Sequence, residues 1–245
     1  MTLRAGTYNI LHGADFLKKR KTGEDTVDLS LASRAIAEMD LDICALNEVR
    51  NQENVEGLCN QAKEIAERVG RHYLFARAID HAGGEYGNAL LSRYPILSST
   101  LHPIIVPKDA RASGRRYENR VALEAHLDIH GKTVAVIVTH FGLHRDEIDL
   151  AAETVVKIVK NSPYPTVVMG DFNVSPDDDA IKKLKSILVD TADLTERPLL
   201  TFPSHAPEIK IDYIMITRDL AAISVDCPNI LTSDHKPLTA EIKLA

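Results

Sequence analysis

The chain has 245 residues, 44% hydrophobic and 26% charged, the make-up of a soluble globular protein. Its net charge of −6 argues against a basic, sequence-independent nucleic-acid track. Aromatic residues at 5%, with no Trp, leave little for stacking single-stranded bases.

In chain order, "AGTYNIL" reads as a first strand, followed by a long loop over 11–27. Residues 28–39 read as a helix with Leu31, Ala35 and Met39 on one face. The run "DICALNE" is a second strand with Cys44 as a small buried hydrophobe. Residues 55–70 repeat Leu58, Ala62, Ile65 and Val69 and end on Gly70, a good C-cap. "HYLFARAI" and "NALLSRYPI" are strands, and 107–118 is a second long loop. His130-Gly131-Lys132 lies between "RVALEAHLDI" and "TVAVIVTH" and reads as a hairpin turn, which argues against a purely parallel sheet. Residues 146–160 form a helix with Ile148, Ala151, Val155, Ile158 and Val159 inward. After the strand "TVVMGDF", Ser175 as N-cap and Pro176 open a helix over 175–188, so Asp177, Asp178 and Asp179 stabilise a helix start rather than a metal. A third long loop spans 190–210, before the strands "IDYIMIT" and "PLTAEIKL".

A single domain of mixed α/β layers over 1–245 is expected. Three cysteines, an odd number without metal-like spacing, do not suggest a disulfide framework. No segment is apolar long enough to span a membrane and the first residues lack a signal core, so a cytoplasmic protein is expected.

Polar residues interrupt these apolar runs at their ends. In "VVMGDFNVSPDD", extended backbone would put Asp171 and Asn173 on one side, a carboxylate beside an amide. Satisfying loop backbone groups is the simpler use of both. Yet Asn9, Glu48, His140, Asp212, Asp234 and His235 also lie in or beside apolar runs, where an unpaired acid or imidazole is costly. So many cases point to one shared cause: strand ends gathered at one rim, around each other or a ligand.

The stretches "TYNILHG", "ALNEVR", "GNALLSRYPI", "VTHFGL", "GDFNVSP", "IDYIMI" and "SDHKPL" resemble, in this order, the motifs of the endonuclease/exonuclease/phosphatase superfamily over residues 7–238. The resemblance implies a four-layer α/β/β/α sandwich, two packed mixed sheets flanked by helices. It also implies Mg²⁺- or Mn²⁺-dependent phosphoester hydrolysis. Glu48 is the implied primary metal ligand, with Asn9 and Asp234 beside it, as hard cations prefer oxygen. His235 is implied at the phosphate or attacking water, and Asp212 on its other ring nitrogen. Asp171 would orient or deprotonate the water, and Asn173 and His140 would donate to phosphoryl oxygens.

Arg50 and Arg120 fit equally a phosphate grip or ordinary surface ion pairs, and Asn88 fits the rim of the site. His140 and His144 form H-x-x-x-H, but Gly142 and the preceding strand argue against a zinc helix. His140 in "VTHFGL" resembles the deoxyribonuclease, sphingomyelinase and inositol-phosphatase branches. Asn47 departs from the Gln that many relatives carry before the glutamate. The expected substrate is a small phosphodiester or phosphorylated metabolite or headgroup, handled by a monomer. Nucleic acid, cut by a deoxyribonuclease-like enzyme, is the alternative. An inactive binding or scaffold module is the alternative of another class. Two basic clusters, Lys18–Lys21 and Arg111/Arg115/Arg116, would serve as a second phosphate grip or as solvated loop charge.

Overall fold

A computed structural model describes residues 1–106 and 117–244. Among these residues twelve strands form two six-stranded sheets. The first contains β1 (Thr2–Asn9), β2 (Ile43–Asn51), β3 (His72–His81), β4 (Gly84–Ser92), β11 (Ala221–Asp226) and β12 (Leu238–Lys243), in the order β11-β12-β1-β2-β4-β3. The second contains β5 (Ile96–Ile104), β6 (Arg120–Ile129), β7 (Lys132–His140), β8 (Thr166–Asp171), β9 (Val189–Asp190) and β10 (Asp212–Ile216), in the order β5-β6-β7-β8-β10-β9. Each sheet is antiparallel apart from one central parallel pair, β1 with β2 and β7 with β8.

Alternation along the strands explains the layers. Val167 and Met169 of β8 point between the sheets, where they meet Leu3, Ala5, Leu123 and Ile214. Val168, between them, points the other way, onto Ile148, Val155 and Ile181 of the helices. The helices among the described residues are α1 (Phe16–Thr22), α2 (Leu29–Met39), α3 (Gln61–Val69), α4 (Arg145–Asn161) and α5 (Asp179–Lys185). Ile36 and Met39 of α2 and Ile65 of α3 cover Cys44 and Leu46 on the outer face of the first sheet. The result is the four-layer α/β/β/α sandwich.

The hairpin forms as the sequence predicts. Ile129 pairs with Lys132, and His130 and Gly131 both take positive φ (54° and 84°), as a two-residue turn matched to strand twist requires. Other expectations need correction. The stretch 11–27 is not all loop: α1 lies within it, capped by Asp15 on the Lys18 N–H and ended by Gly23 at φ 78°. The helix expected over 55–70 starts only at Gln61, with Asn60 as cap, and leaves Leu58 49% exposed. The helix expected from Ser175 starts at Asp179, because Asp178 accepts the Ala180 N–H while Ser175 bonds Asp177. The stretch 190–210 contains a short 3-10 turn and a bridge between Phe202 and Ile209. No helix among the described residues is long and apolar enough to cross a membrane.

Candidate functional site

The parallel pairs set the site. In β1 and β2, Asn9 lies beside Asn47, and in β7 and β8, His140 lies beside Asp171. β10 runs antiparallel to β8 and starts level with its end, so Asp212 lies beside Asp171. The ends of four central strands and the start of a fifth thus meet at one edge of the sandwich. The segment before β12 brings Asp234 and His235 to the same edge.

The centre is a buried chain of charge. His235 Nδ1 lies 2.9 Å from Asp212 Oδ2, and its Nε2 lies 3.5 Å from Asp171 Oδ2. His140 Nε2 lies 3.5 Å from that same Asp171 oxygen. Asn173 Nδ2 donates to His140 Nε2 at 3.0 Å and to Phe141 O at 3.0 Å. Asp212 is held by two of its neighbours: the Thr201 hydroxyl oxygen accepts its N–H, and His235 takes one carboxylate oxygen. Its other oxygen, Oδ1, is buried without a hydrogen-bond partner. Phe202 packs its ring 4.9 Å from that of His235.

Burial dominates the electrostatics. It pushes the Asp171 carboxyl up to about 7, with His235 pulling it down and Asp212 pushing it up. Burial opposes a charge on His235, but Asp212 and Asp171 outweigh it and raise the imidazole to about 10. Burial, with Arg120 and His235 adding to it, holds His140 well below its ordinary value. Asp234 is raised by burial, and Glu48 adds to the rise.

Asp171 and Asn173 do not share a strand face, contrary to expectation. β8 ends at Asp171, and Asn173 turns away at φ 54°. Asp171 Oδ1 accepts the Asn173 N–H at 3.0 Å, the loop use foreseen as the simpler one. Its Oδ2 is left for the site. Glu48 is likewise delivered by an irregularity: the β2–β4 register shifts between Leu46 and Val49, and Glu48 has φ 59°. Such positive φ values away from Gly are uncommon and concentrate where geometry serves function.

Asn9 donates from Nδ2 to Glu48 Oε1 and to Asp171 Oδ2, both at 3.1 Å, and its own oxygen accepts the Leu11 N–H. Asn9 therefore links the two acids. Glu48 and Asp234 are only partly buried and have no cation within 4 Å among the described residues. Asp171, Asp212 and His235 form the one cluster among the described residues whose ligand atoms lie within 4.8 Å of each other. Cys44 is buried in the helix-side core, and the three cysteines are free.

Arg50 and Arg120 lie near the site, each with a buried Nε lacking a hydrogen-bond partner. Arg120 pairs with Glu118 at 3.4 Å. Asn88 is 2% exposed, with its oxygen accepting from Asn47 and its Nδ2 donating to Val121 O. His144 caps α4 in extended backbone while His140 ends β7, so the two histidines share no helix face. Lys18 and Lys19 pair with Glu24 and Asp25, whereas Arg111, Arg115 and Arg116 lie outside the described residues.

Sequence reasoning left Asn47 without a role. Fully buried, it crosses between the sheets: its Oδ1 accepts the Asp171 N–H at 2.9 Å, and its Nδ2 donates to Asn88 Oδ1 (2.9 Å) and Thr139 O (3.1 Å). Tyr86 was also missed. Its hydroxyl is raised by burial and then by the charge of Glu48. It lies two residues before Asn88 on β4, a spacing that could have flagged it.

Known proteins resemble this chain in sequence or in fold. Protein cwh43 of Schizosaccharomyces pombe is 29% identical over 138 residues, 56% of this chain but 13% of that protein's length. The uncharacterized protein YbhP of Escherichia coli K12 is 28% identical over 232 residues, covering 86% of each chain. Among solved structures, the Bacteroides thetaiotaomicron mannosyl-6-phosphatase Bt3783 superposes with a TM-score of 0.77 at 19% identity, over 99% of this chain and 100% of that one. The sequence profile of the Endonuclease/Exonuclease/phosphatase family matches residues 6–235, from the first strand to the histidine of the charged chain. The chain belongs to that family of endonucleases, exonucleases and phosphatases.

Proposed function

We propose that the protein is a Mg²⁺- or Mn²⁺-dependent hydrolase of small phosphoesters, acting as a monomer. The observation that carries this reading is the buried chain Asp212–His235–Asp171–His140–Asn173 at the meeting edge of the two sheets. Buried charges that merely stabilise a fold are a poor investment, since apolar packing does as well. Their concentration at a sheet edge fits a reaction site.

The donor set suits a hard cation. Glu48 and Asp234 offer carboxylate oxygens without a cationic partner, and Asn9 fixes Glu48 in place. Glu48 and Asp234 would hold the metal, which supplies charge to the phosphoryl oxygens and a more acidic water. Asp212 fixes the His235 ring by accepting from Nδ1. His235 then presents Nε2 to the phosphoryl group and opposes the charge that develops there. Asp171 Oδ2 orients the attacking water and takes its proton. Asn173 would exchange its bond to His140 Nε2 for one to a phosphoryl oxygen when substrate binds, which frees His140 Nε2, in its protonated tautomer, to donate there as well.

A small phosphorylated substrate is supported by one neighbour of the same fold, a mannosyl-6-phosphatase. The net charge of −6 repels a long polyanion beyond the site itself. The test compares plasmid, oligonucleotide and small phosphoesters with Mg²⁺ at two salt concentrations. Turnover of small phosphoesters with weak salt dependence is expected. Steeply salt-sensitive plasmid nicking without small-substrate turnover would instead mean a deoxyribonuclease-like enzyme, since neutralised DNA phosphates release counterions. No turnover of any phosphoester would leave a binding module.

A further inference from the structure

Beside the site lies a cavity of about 560 Å³ that the charged chain does not use. It is bounded by the C-terminal end of β2, the segment before α3 and the start of α2. α2 precedes β2 and runs back against it, so its first turn lies at the strand end that carries Glu48. The cavity therefore opens at the same edge of the sandwich as the site. Its size is that of pockets that enclose small organic ligands.

Its lining is specific in charge. Arg50, two residues beyond Glu48, forms part of the wall. Its Nε is buried without a partner, and its guanidinium has no carboxylate within 4 Å among the described residues. The other charges of the wall are spoken for. Arg68 pairs with Glu64, and Asp28 accepts the Ser30 N–H as the cap of α2. Among the described residues Arg50 is the one charged group of the wall with neither an ion pair nor a side-chain hydrogen bond, while Asp28 keeps its negative charge at the first turn of α2. The Arg50 backbone is held as well: Gln61 accepts its main-chain N–H at 2.9 Å and donates to His12 O at 2.7 Å, tying the wall to the turn after Asn9. The lining also includes apolar side chains that face solvent, Val27 and Leu58, each 49% exposed.

We propose that this cavity receives the alcohol portion of the substrate, and that it selects an alcohol with a short apolar segment and a second anionic group. The apolar segment lies on Val27 and Leu58, and the anion meets Arg50, whose planar fork matches a carboxylate or phosphate. The proposal rests on the phosphoester reading and adds a specificity pocket to it.

The test uses phosphoesters of methanol, hexanol and 6-hydroxyhexanoate, each as a monoester and a methyl diester, with Mg²⁺. The corresponding phosphonates, which cannot be hydrolysed at the C–P bond, are measured as ligands by calorimetry. Results are read as ratios between compounds within one protein, so a general loss of activity cancels. The wild type is expected to prefer the 6-hydroxyhexanoate ester to the hexyl ester by about 10-fold in kcat/KM, the scale of one charge-assisted contact. Arg50→Gln should bring that ratio to about 1–3. Leu58→Ser should shrink the advantage of hexyl over methyl by about 3-fold or more, on the scale of lost apolar contact. Equal use of the hexyl and 6-hydroxyhexanoate compounds by the wild type, or a preference untouched by Arg50→Gln, would overturn the pocket while leaving the phosphoester reading standing. An Arg50-dependent preference among the phosphonates without hydrolysis of any ester would support the pocket and remove the hydrolase.

Discussion

Replacing Asn47 with Ala removes the amide that joins the two sheets at the site. Three groups lose a partner: the Asp171 N–H, the Asn88 carboxamide oxygen and the Thr139 carbonyl. At about 1–3 kcal/mol for each stranded buried group, the sum is about 3–9 kcal/mol. Water entering the vacated space brings the expected loss to the lower end, about 3–4 kcal/mol. With no Trp in the chain, urea unfolding followed by far-UV circular dichroism is the assay, read as a midpoint shift at constant slope. Asn47→Asp should be worse than Ala, because its carboxylate would face two carbonyl oxygens. Asn88→Ala should couple to Asn47→Ala by at least about 1 kcal/mol, as their side chains bond directly. A loss under about 1 kcal/mol for Asn47→Ala, with additive effects in the double variant, would refute the idea that this amide fastens the sheets.

Glu48→Gln keeps size but removes charge, so Mg²⁺-dependent turnover should fall by about 100-fold or more while the unfolding midpoint moves little; unchanged Mg²⁺ titrations would remove Glu48 from the metal site. His235→Ala and Asp212→Asn should each lose activity, and the double variant should be little worse than His235→Ala, because Asp212 acts through the ring it orients; multiplicative losses in kcat/KM would separate them. Gly170→Ala should cost about 3 kcal/mol or more in urea unfolding, since its φ is 151° and a Cβ would collide with Thr139 O; a wild-type midpoint would show that the strands part easily there.

The sequence was most readable where one chemical signal stood alone. Apolar runs ending in Asn9, Glu48, His140 and Asp171 revealed strand ends gathered at a rim, because an acid or imidazole beside an apolar run needs a partner. His130-Gly131 revealed the hairpin, because few residues accept positive φ twice in succession. Helix α1 escaped notice because its one buried residue is Phe16, and one residue makes no period. Its ends were nonetheless written as Asp15 and Gly23, a cap and a stop. The role of Asn47 was not readable at all. Its partners lie on β4, β7 and β8, and no local pattern announces a bond across 124 positions of chain. The positive φ of Glu48 and Asn173 was hidden for the same reason: surrounding structure imposes it, against the local preference of those residues.

The pairing of β1 with β12 has a consequence for assembly. Thr2 lies beside Lys243, and the Leu244 N–H donates to Met1 O at 3.0 Å, so the two ends of the described chain meet within one sheet. A strand near the end of the chain is thus needed to flank β1, and the same pairing brings His235 towards Asn9. During synthesis the site stays open until β12 emerges, and contacts this distant in sequence are slow to form. Joining the two ends and cutting the exposed turn at His130-Gly131 would turn the most distant pairing into a local one. Such a circular permutant would keep every strand of both sheets and bring Asn9 and His235 close in sequence.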